Sequence, residues 1–236
     1  AVLFGKYQLE RVIGRGRSGT VFLARHLGLD EERAIKRVRR TESGFIQEAA
    51  LLKRLRHPGI PIIYDLEIDE NYYYLIEEYL CGESLYARIE RTGSLQTGEL
   101  IRLGIELCRI MNYLHSFKPN PILYLDLHPG NLLICREQLK LIDFDQAALA
   151  SLSQERSVCY GTKGFAAPEQ YEGGTLDERT DIYAIGALLY YMGTGHAPEG
   201  EIKAGQGSCR GDLYILMGRC LRIEKKERCQ SVREVL

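Results

Sequence analysis

The chain has 236 residues, 45% hydrophobic and 27% charged, the balance of an ordinary folded protein, which excludes disordered, collagen-like and mucin-like classes. Its 31 basic and 32 acidic residues leave a formal net charge of -1, so no global field marks a nucleic-acid binder, and a short run such as Lys36-Arg37-Val38-Arg39-Arg40 reads as solvated surface. Its 7 cysteines contain no C-x-x-C pair and point to a reducing, cytoplasmic setting, while no stretch approaches the roughly 20 apolar residues of a membrane span.

The N-terminus carries no signal-peptide pattern, and a start at Ala1 rather than methionine leaves room for further segments, a membrane anchor included. From there the pattern alternates as antiparallel strands do, over Tyr7 to Ile13, Thr20 to Leu27 and Arg33 to Val38. A helix is predicted from Phe45 to Arg56, with Phe45, Ala49 and Leu52 on one face and His57-Pro58-Gly59 ending it. Strands over Ile62 to Ile68 and Tyr72 to Glu77 complete a β-rich unit. Helical spacing begins around Tyr79 to Glu83 and continues through Leu100, Leu103, Gly104, Leu107, Cys108, Met111 and Leu114. Ile182 to Met192 is apolar nearly all round, as a helix buried in a core is. The expected organisation is a β-rich lobe over residues 1–78 and a helical lobe over 79–236, with a small-molecule cleft between them.

Four groups of residues carry chemistry. Gly14-x-Gly16-x-x-Gly19-x-Val21 lies between two strands, where missing side chains let backbone N–H groups approach phosphate; a strand rather than a helix follows, which argues against a dinucleotide fingerprint. Ala34-Ile35-Lys36 lies on the next strand and Glu48 on the following helix, a lysine for phosphates with a carboxylate to orient it. Asp126-Leu127-His128-Pro129-Gly130-Asn131 follows the long helix, and Asp143-Phe144-Asp145 follows an apolar strand. Asp126 suits an attacking hydroxyl, and Asn131 and Asp143 are the hard oxygen ligands that magnesium takes.

With these motifs in order, joined by Gly161 to Glu169, Asp181-Ile182-Tyr183 and Arg228, the whole chain resembles eukaryotic-type (Hanks-type) serine/threonine protein kinase catalytic domains in their divergent bacterial form. The resemblance implies an α+β, bilobal protein-kinase-like fold, with an antiparallel β-rich N-lobe and a helical C-lobe. It implies transfer of the γ-phosphate of ATP to serine or threonine with Mg2+, through Lys36, Glu48, Asp126, His128 and Thr162. Nucleotide contacts would come from Gly14, Gly16, Gly19, Val21, Ala34, Lys36, Leu133 and the backbone of Glu78 and Leu80, with Glu77 behind the adenine and Asn131 and Asp143 at the metal. Glu169 and Arg228 would form a buried ion pair and Asp181 would anchor the catalytic loop. The expected partner is a protein substrate, with no nucleic acid and no membrane contact from this segment; its identity and the oligomeric state stay open.

Three positions depart from the family pattern. Tyr124-Leu125-Asp126 replaces His-Arg-Asp, His128 stands where the family has lysine, and Asp145 replaces the glycine of Asp-Phe-Gly. Asp-Leu-His-Pro-Gly-Asn is also similar to stretches of aminoglycoside and choline phosphotransferases, but Gly161 to Glu169 has no counterpart there. The alternative readings are such a small-molecule kinase, or a pseudokinase scaffold, against which stand the intact Lys36, Asp126, Asn131 and Asp143. Leu125 cannot pair with a loop phosphate and Val158 cannot carry one, so activity is expected without activation-segment phosphorylation, with apolar packing of Leu125 in the guanidinium's place. Gly193 to Gly211 is glycine-rich and short where family members place a substrate-docking helix.

Overall fold

The computed structural model describes residues 1–16, 19–41, 45–153, 161–200 and 211–236, without the side chains of 47, 152 and 153. The chain divides into two compact units, Ala1–Cys81 and Gly82–Leu236, the division falling a few residues beyond position 78. Arg156, Ser157, Val158 and most of the glycine-rich stretch after Gly200 lie outside the described residues.

In the first unit, strands β1 (Val2–Leu3), β2 (Tyr7–Gly16), β3 (Gly19–His26), β4 (Glu31–Arg39), β5 (Ile63–Ile68) and β6 (Tyr72–Glu78) form one antiparallel sheet in the order β1-β2-β3-β4-β6-β5. Successive side chains of a strand point to opposite faces, so register sorts the residues. One face carries Tyr7, Ala24, Ile35, Tyr74 and Ile76 as a closed apolar cluster. The other carries Val21 opposite Lys36, Lys36 opposite Leu75 and Ala34 opposite Glu77. Helix α1 (Phe45–Leu52) covers this second face, where Phe45 stacks on Tyr73 at 5.1 Å and 7°. The helix is shorter than the expected run to Arg56. Beyond Leu52 the backbone tightens to i→i−3 bonds, Arg54 N to Leu51 O at 2.9 Å and Leu55 N to Leu52 O at 3.0 Å, while the Arg56 guanidinium takes the carbonyls of Lys53 and Leu55 that helix continuation would have used.

The second unit begins with strand β7 (Glu83–Ser84) rather than the helical start read at Tyr79 to Glu83. Gly82 runs against the backbone of Ile134, and β7 pairs with the strand there. Ser84 is then the N-cap of α2 (Leu85–Thr92), its hydroxyl accepting from Ala87 N at 3.1 Å. Helix α3 (Thr97–His115) follows, with Leu100, Leu103, Leu107, Met111 and Leu114 buried as their spacing requires. Strands β8 (Ile122–Leu123), β9 (Leu132–Cys135), β10 (Gln138–Leu141) and β11 (Ala148–Leu149) pair as β10-β9-β7 and β11-β8. The short helices α4 (Ala150–Ser153) and α5 (Pro168–Glu172) precede the long helix α6 (Glu178–Thr194), which packs against α3 and against the last helix, α7 (Asp212–Cys220).

Helix α6 is buried on all sides over most of its length, which its lack of a polar face foretold. It starts at Asp177, whose carboxylate accepts from Arg179 N at 2.9 Å, and stops at Gly195 in the left-handed conformation with φ 79°. Among the described residues no helix is long and apolar enough to cross a membrane.

Candidate active site

Gly14, Gly16, Gly19, Val21, Ala34, Lys36, Glu48, Glu78 and Leu80 belong to the first unit; Asp126, His128, Asn131, Leu133, Asp143 and Thr162 belong to the second. In the first, the glycines end the β2–β3 ladder, Gly14 facing Val21 and Gly16 facing Gly19. Their reasons differ. Gly19 sits at φ 135°, and a Cβ there would strike the carbonyl oxygen of Arg37, so the sheet itself demands glycine. A Cβ on Gly16 would meet nothing within 4 Å, and at Gly14 only Val21 at an ordinary 3.6 Å. The fold leaves space over these two positions.

Lys36 Nζ lies 2.9 Å and 3.1 Å from the two carboxylate oxygens of Glu48, with Lys36 5% and Glu48 3% exposed. This buried pair holds the ammonium on the sheet face that also carries Val21 and Ala34. Glu78 ends β6; its N–H donates to Ile62 O at 2.8 Å, so a backbone group it offers to a ligand is its carbonyl.

In the second unit one carboxylate organises the loop before Asp126. Asp181, in the first turn of α6, accepts from the N–H of Tyr124 at 2.9 Å and of Leu125 at 2.8 Å, and lies 2.9 Å from His115 Nε2. These contacts hold Leu125 at φ 67°, a left-handed conformation that a branched side chain adopts only when its surroundings impose it. Gln170 adds a bond from Nε2 to Leu125 O at 2.8 Å. Leu125 itself is buried with Leu123, Ala148 and Leu176, which is the apolar packing expected in place of a guanidinium.

Asp126 Oδ1 accepts from the Thr162 hydroxyl at 2.8 Å. His128 Nε2 stands 3.7 Å from Asp126 Oδ2, and its Nδ1 accepts from Gly130 N at 3.1 Å. That acceptor role leaves the ring proton on Nε2. Burial pushes the His128 pKa down, against the opposing pull of Asp126 and Asp143, so the ring is neutral near pH 7.

Asn131 is tied to the residue before Asp143, Ile142 N donating to Asn131 O at 2.9 Å. The Tyr124 hydroxyl donates to the carbonyl of Ile142 and to that of Asp143 at 2.8 Å, and its ring meets Phe144 edge-on at 5.2 Å. Burial first, then Asp143 and Asp126, push the phenol pKa well up, so it stays a donor. The amide nitrogen of Asn131 is engaged by Asp126 O at 3.1 Å, turning its side-chain oxygen the other way. That oxygen and the Asp143 carboxylate are the hard donors a divalent cation such as magnesium takes. Leu133 lies on β9, paired with Lys140 and Ser84.

Glu169 and Arg228 form the expected buried pair, at 2.7 Å and 2.8 Å, with Thr180 donating to Glu169 at 3.0 Å. Sequence reading had not assigned roles to the Tyr124 hydroxyl, His115 or Gln170, because each acts on a partner far along the chain. One signal for Tyr124 was present: a phenol-bearing ring in the apolar stretch before Asp126 needs an acceptor when buried.

A family model described as protein kinase domain matches residues 7–233. Serine/threonine-protein kinase PrkC of Bacillus subtilis is 35% identical over 209 residues, covering 84% of this chain and 32% of that protein. Serine/threonine-protein kinase pkn3 of Myxococcus xanthus is 30% identical over 213 residues, 82% of this chain and 38% of that one. Serine/threonine-protein kinase PknB of Mycolicibacterium smegmatis is 32% identical over 213 residues, 83% of this chain and 33% of that one. The chain thus spans about a third of the length of these curated relatives. A match over nearly the whole length, on a β-rich and a helical unit that carry the ordered motifs, establishes that the chain belongs to the protein kinase domain family.

Proposed function

We propose that this domain transfers the γ-phosphate of ATP to serine or threonine hydroxyls of a protein substrate, with magnesium. The observation that carries the reading is the Asp126–Thr162 bond of 2.8 Å. It fixes one oxygen of the catalytic carboxylate and leaves the other for an incoming hydroxyl. In the reaction the acceptor oxygen bonds to the γ-phosphorus, the bond to the β-phosphate oxygen breaks, ADP leaves and Asp126 takes the hydroxyl proton.

Lys36, held by Glu48, supplies charge to the phosphates, and Gly14 and Gly16 offer backbone N–H groups with no side chain in the way. When bound at Asn131 and Asp143, magnesium supplies positive charge that neutralises the phosphates. His128 contributes a neutral Nε2–H donor beside Asp126 where the family has a permanent cation. The serine/threonine-kinase names of the relatives support the hydroxyl class.

The test is Asp126→Asn with a generic protein acceptor. Transfer should fall by at least about a hundredfold, the scale of a lost general base, with ATP affinity little changed. Transfer undiminished by the substitution would remove Asp126 from the role.

A further inference from the structure

The described cysteines include two that the reaction does not use and that sit face to face. Cys220 ends α7 and Cys229 follows it around a turn of 3-10 helix; both are fully buried, with their sulfurs 3.9 Å apart. We infer that this pair is a reversible dithiol–disulfide switch, closed by a hydroperoxide, whose closure loosens the Glu169–Arg228 clamp behind the segment that carries Thr162.

The chemistry has an identifiable nucleophile. Cys220 S–H donates to the Cys229 sulfur, which with Arg219 nearby outweighs burial and holds the Cys229 thiol below its ordinary value. Cys108, also within reach of Cys229 electrostatically, is pushed up to about 12 by burial and keeps its proton. An apolar cavity of about 170 Å³ lined by Leu100, Gly104, Cys108, Leu189, Leu216 and Val235 reaches Cys108, the thiol that lies within electrostatic reach of Cys229. The Cys229 thiolate attacks the terminal peroxide oxygen; the S–O bond forms, the O–O bond breaks, the leaving alkoxide or hydroxide takes a proton from solvent and departs as an alcohol or water, and a sulfenic acid remains. Cys220 sulfur then attacks the sulfenyl sulfur, the S–S bond forms, the S–O bond breaks, and hydroxide leaves as water with the Cys220 proton. Two thiols lose two electrons in total, and the O–O bond receives them.

The mechanical consequence follows from what is free to move. A disulfide needs its sulfurs at about 2 Å, so the pair must close by roughly as much again. Cys220 is held at the end of α7, its Cβ packed against the α6 backbone at Gly186. The displacement therefore falls on Cys229, and the residue before it is Arg228. All five N–H groups of that guanidinium are spent, two on Glu169 and one each on the carbonyls of Arg179, Arg222 and Ile223. A fork so fully committed has no slack to follow its neighbour.

The test treats the reduced wild-type domain with hydrogen peroxide and, separately, cumene hydroperoxide, then maps disulfides by peptide mass spectrometry. Amide exchange over residues 161–172 and phosphate transfer are measured before and after. The expected result is a Cys220–Cys229 cross-link with at least about fivefold faster exchange around Glu169, the scale of one lost strong contact, both reversed by dithiothreitol and absent in Cys220→Ser and Cys229→Ser. No such cross-link in the wild type, or a cross-link with exchange unchanged, overturns the inference whether or not the serine variants fold. The exchange arm is independent of the kinase reading. The transfer arm rests on it, and a domain that shows the reversible cross-link and exchange change yet never transfers phosphate would sink the kinase reading alone.

Discussion

Replacing Arg228 by leucine removes a guanidinium that is 1% exposed and leaves Glu169, 8% exposed, with Thr180 Oγ1 as its remaining donor among these bonds. Removing one partner of a buried ion pair costs about 3–5 kcal/mol, because the orphaned charge keeps its desolvation penalty. This pair belongs at that level: it is bidentate, and the other guanidinium N–H groups close three backbone carbonyls that leucine cannot reach. With a urea slope of about 2 kcal/mol per molar, the midpoint should fall by roughly 1.5–2.5 M. Far-ultraviolet circular dichroism is the appropriate probe. Among the described residues the first unit holds a single α-helix, Phe45–Leu52, so the helical signal reports the second unit. Adding Glu169→Gln to Arg228→Leu removes the stranded charge and should recover part of the loss, about 1–2 kcal/mol. An Arg228→Leu variant within about 1 kcal/mol of the wild type would refute the reasoning, since that is the worth of an exposed pair rather than a buried one.

Three further outcomes are expected. Gly16→Ala should leave thermal stability within about 0.5 kcal/mol of the wild type while weakening ATP binding, whereas Gly19→Ala should destabilise the first unit by about 2 kcal/mol or more, since its Cβ meets Arg37 O at φ 135°; calorimetry with and without ATP separates the two. Asp177 has its pKa lowered to about 2: burial raises it, but bonds from Arg179 and Lys225 outweigh burial. A depressed carboxylate contributes stability that is full above its unfolded value near 4 and lost as pH falls toward 2, so Asp177→Asn, which keeps an N-cap, should cost about 2 kcal/mol at pH 7 and almost nothing at pH 2 in urea titrations. Phosphatase-treated domain, confirmed unmodified by mass spectrometry, should keep its full single-turnover rate because Leu125 is packed with Ala148 and Leu176; inactivity that loop phosphorylation reverses would contradict this.

The division into a sheet unit and a helical unit was legible from periodicity, because alternation and 3.6-residue spacing are local properties of each segment. So were the residue types of the candidate site: phosphate and metal chemistry needs glycine, lysine, carboxylate and amide at fixed intervals, and those stand plainly between Gly14 and Thr162. Periodicity said less about ends. The early stop of the Phe45–Leu52 helix depends on where the Arg56 guanidinium turns back, and the strand at Glu83–Ser84 exists only because Ile134 and Leu133 lie beside it.

Distances along the chain hide the rest. Asp181 holds Tyr124 and Leu125 across more than fifty residues, Gln170 takes Leu125 O, and Cys229 meets Cys220 only after the chain has wrapped Arg228 around Glu169. Whether a glycine is there for the sheet, like Gly19, or stands open, like Gly16, was equally invisible in the spacing. Both kinds satisfy the same pattern, and only a neighbouring strand's carbonyl tells them apart. A sequence can show which groups are available and where the chain turns; which of them are held rigid, buried or left open is decided by contacts between segments, whose energies belong to pairs that no local pattern records.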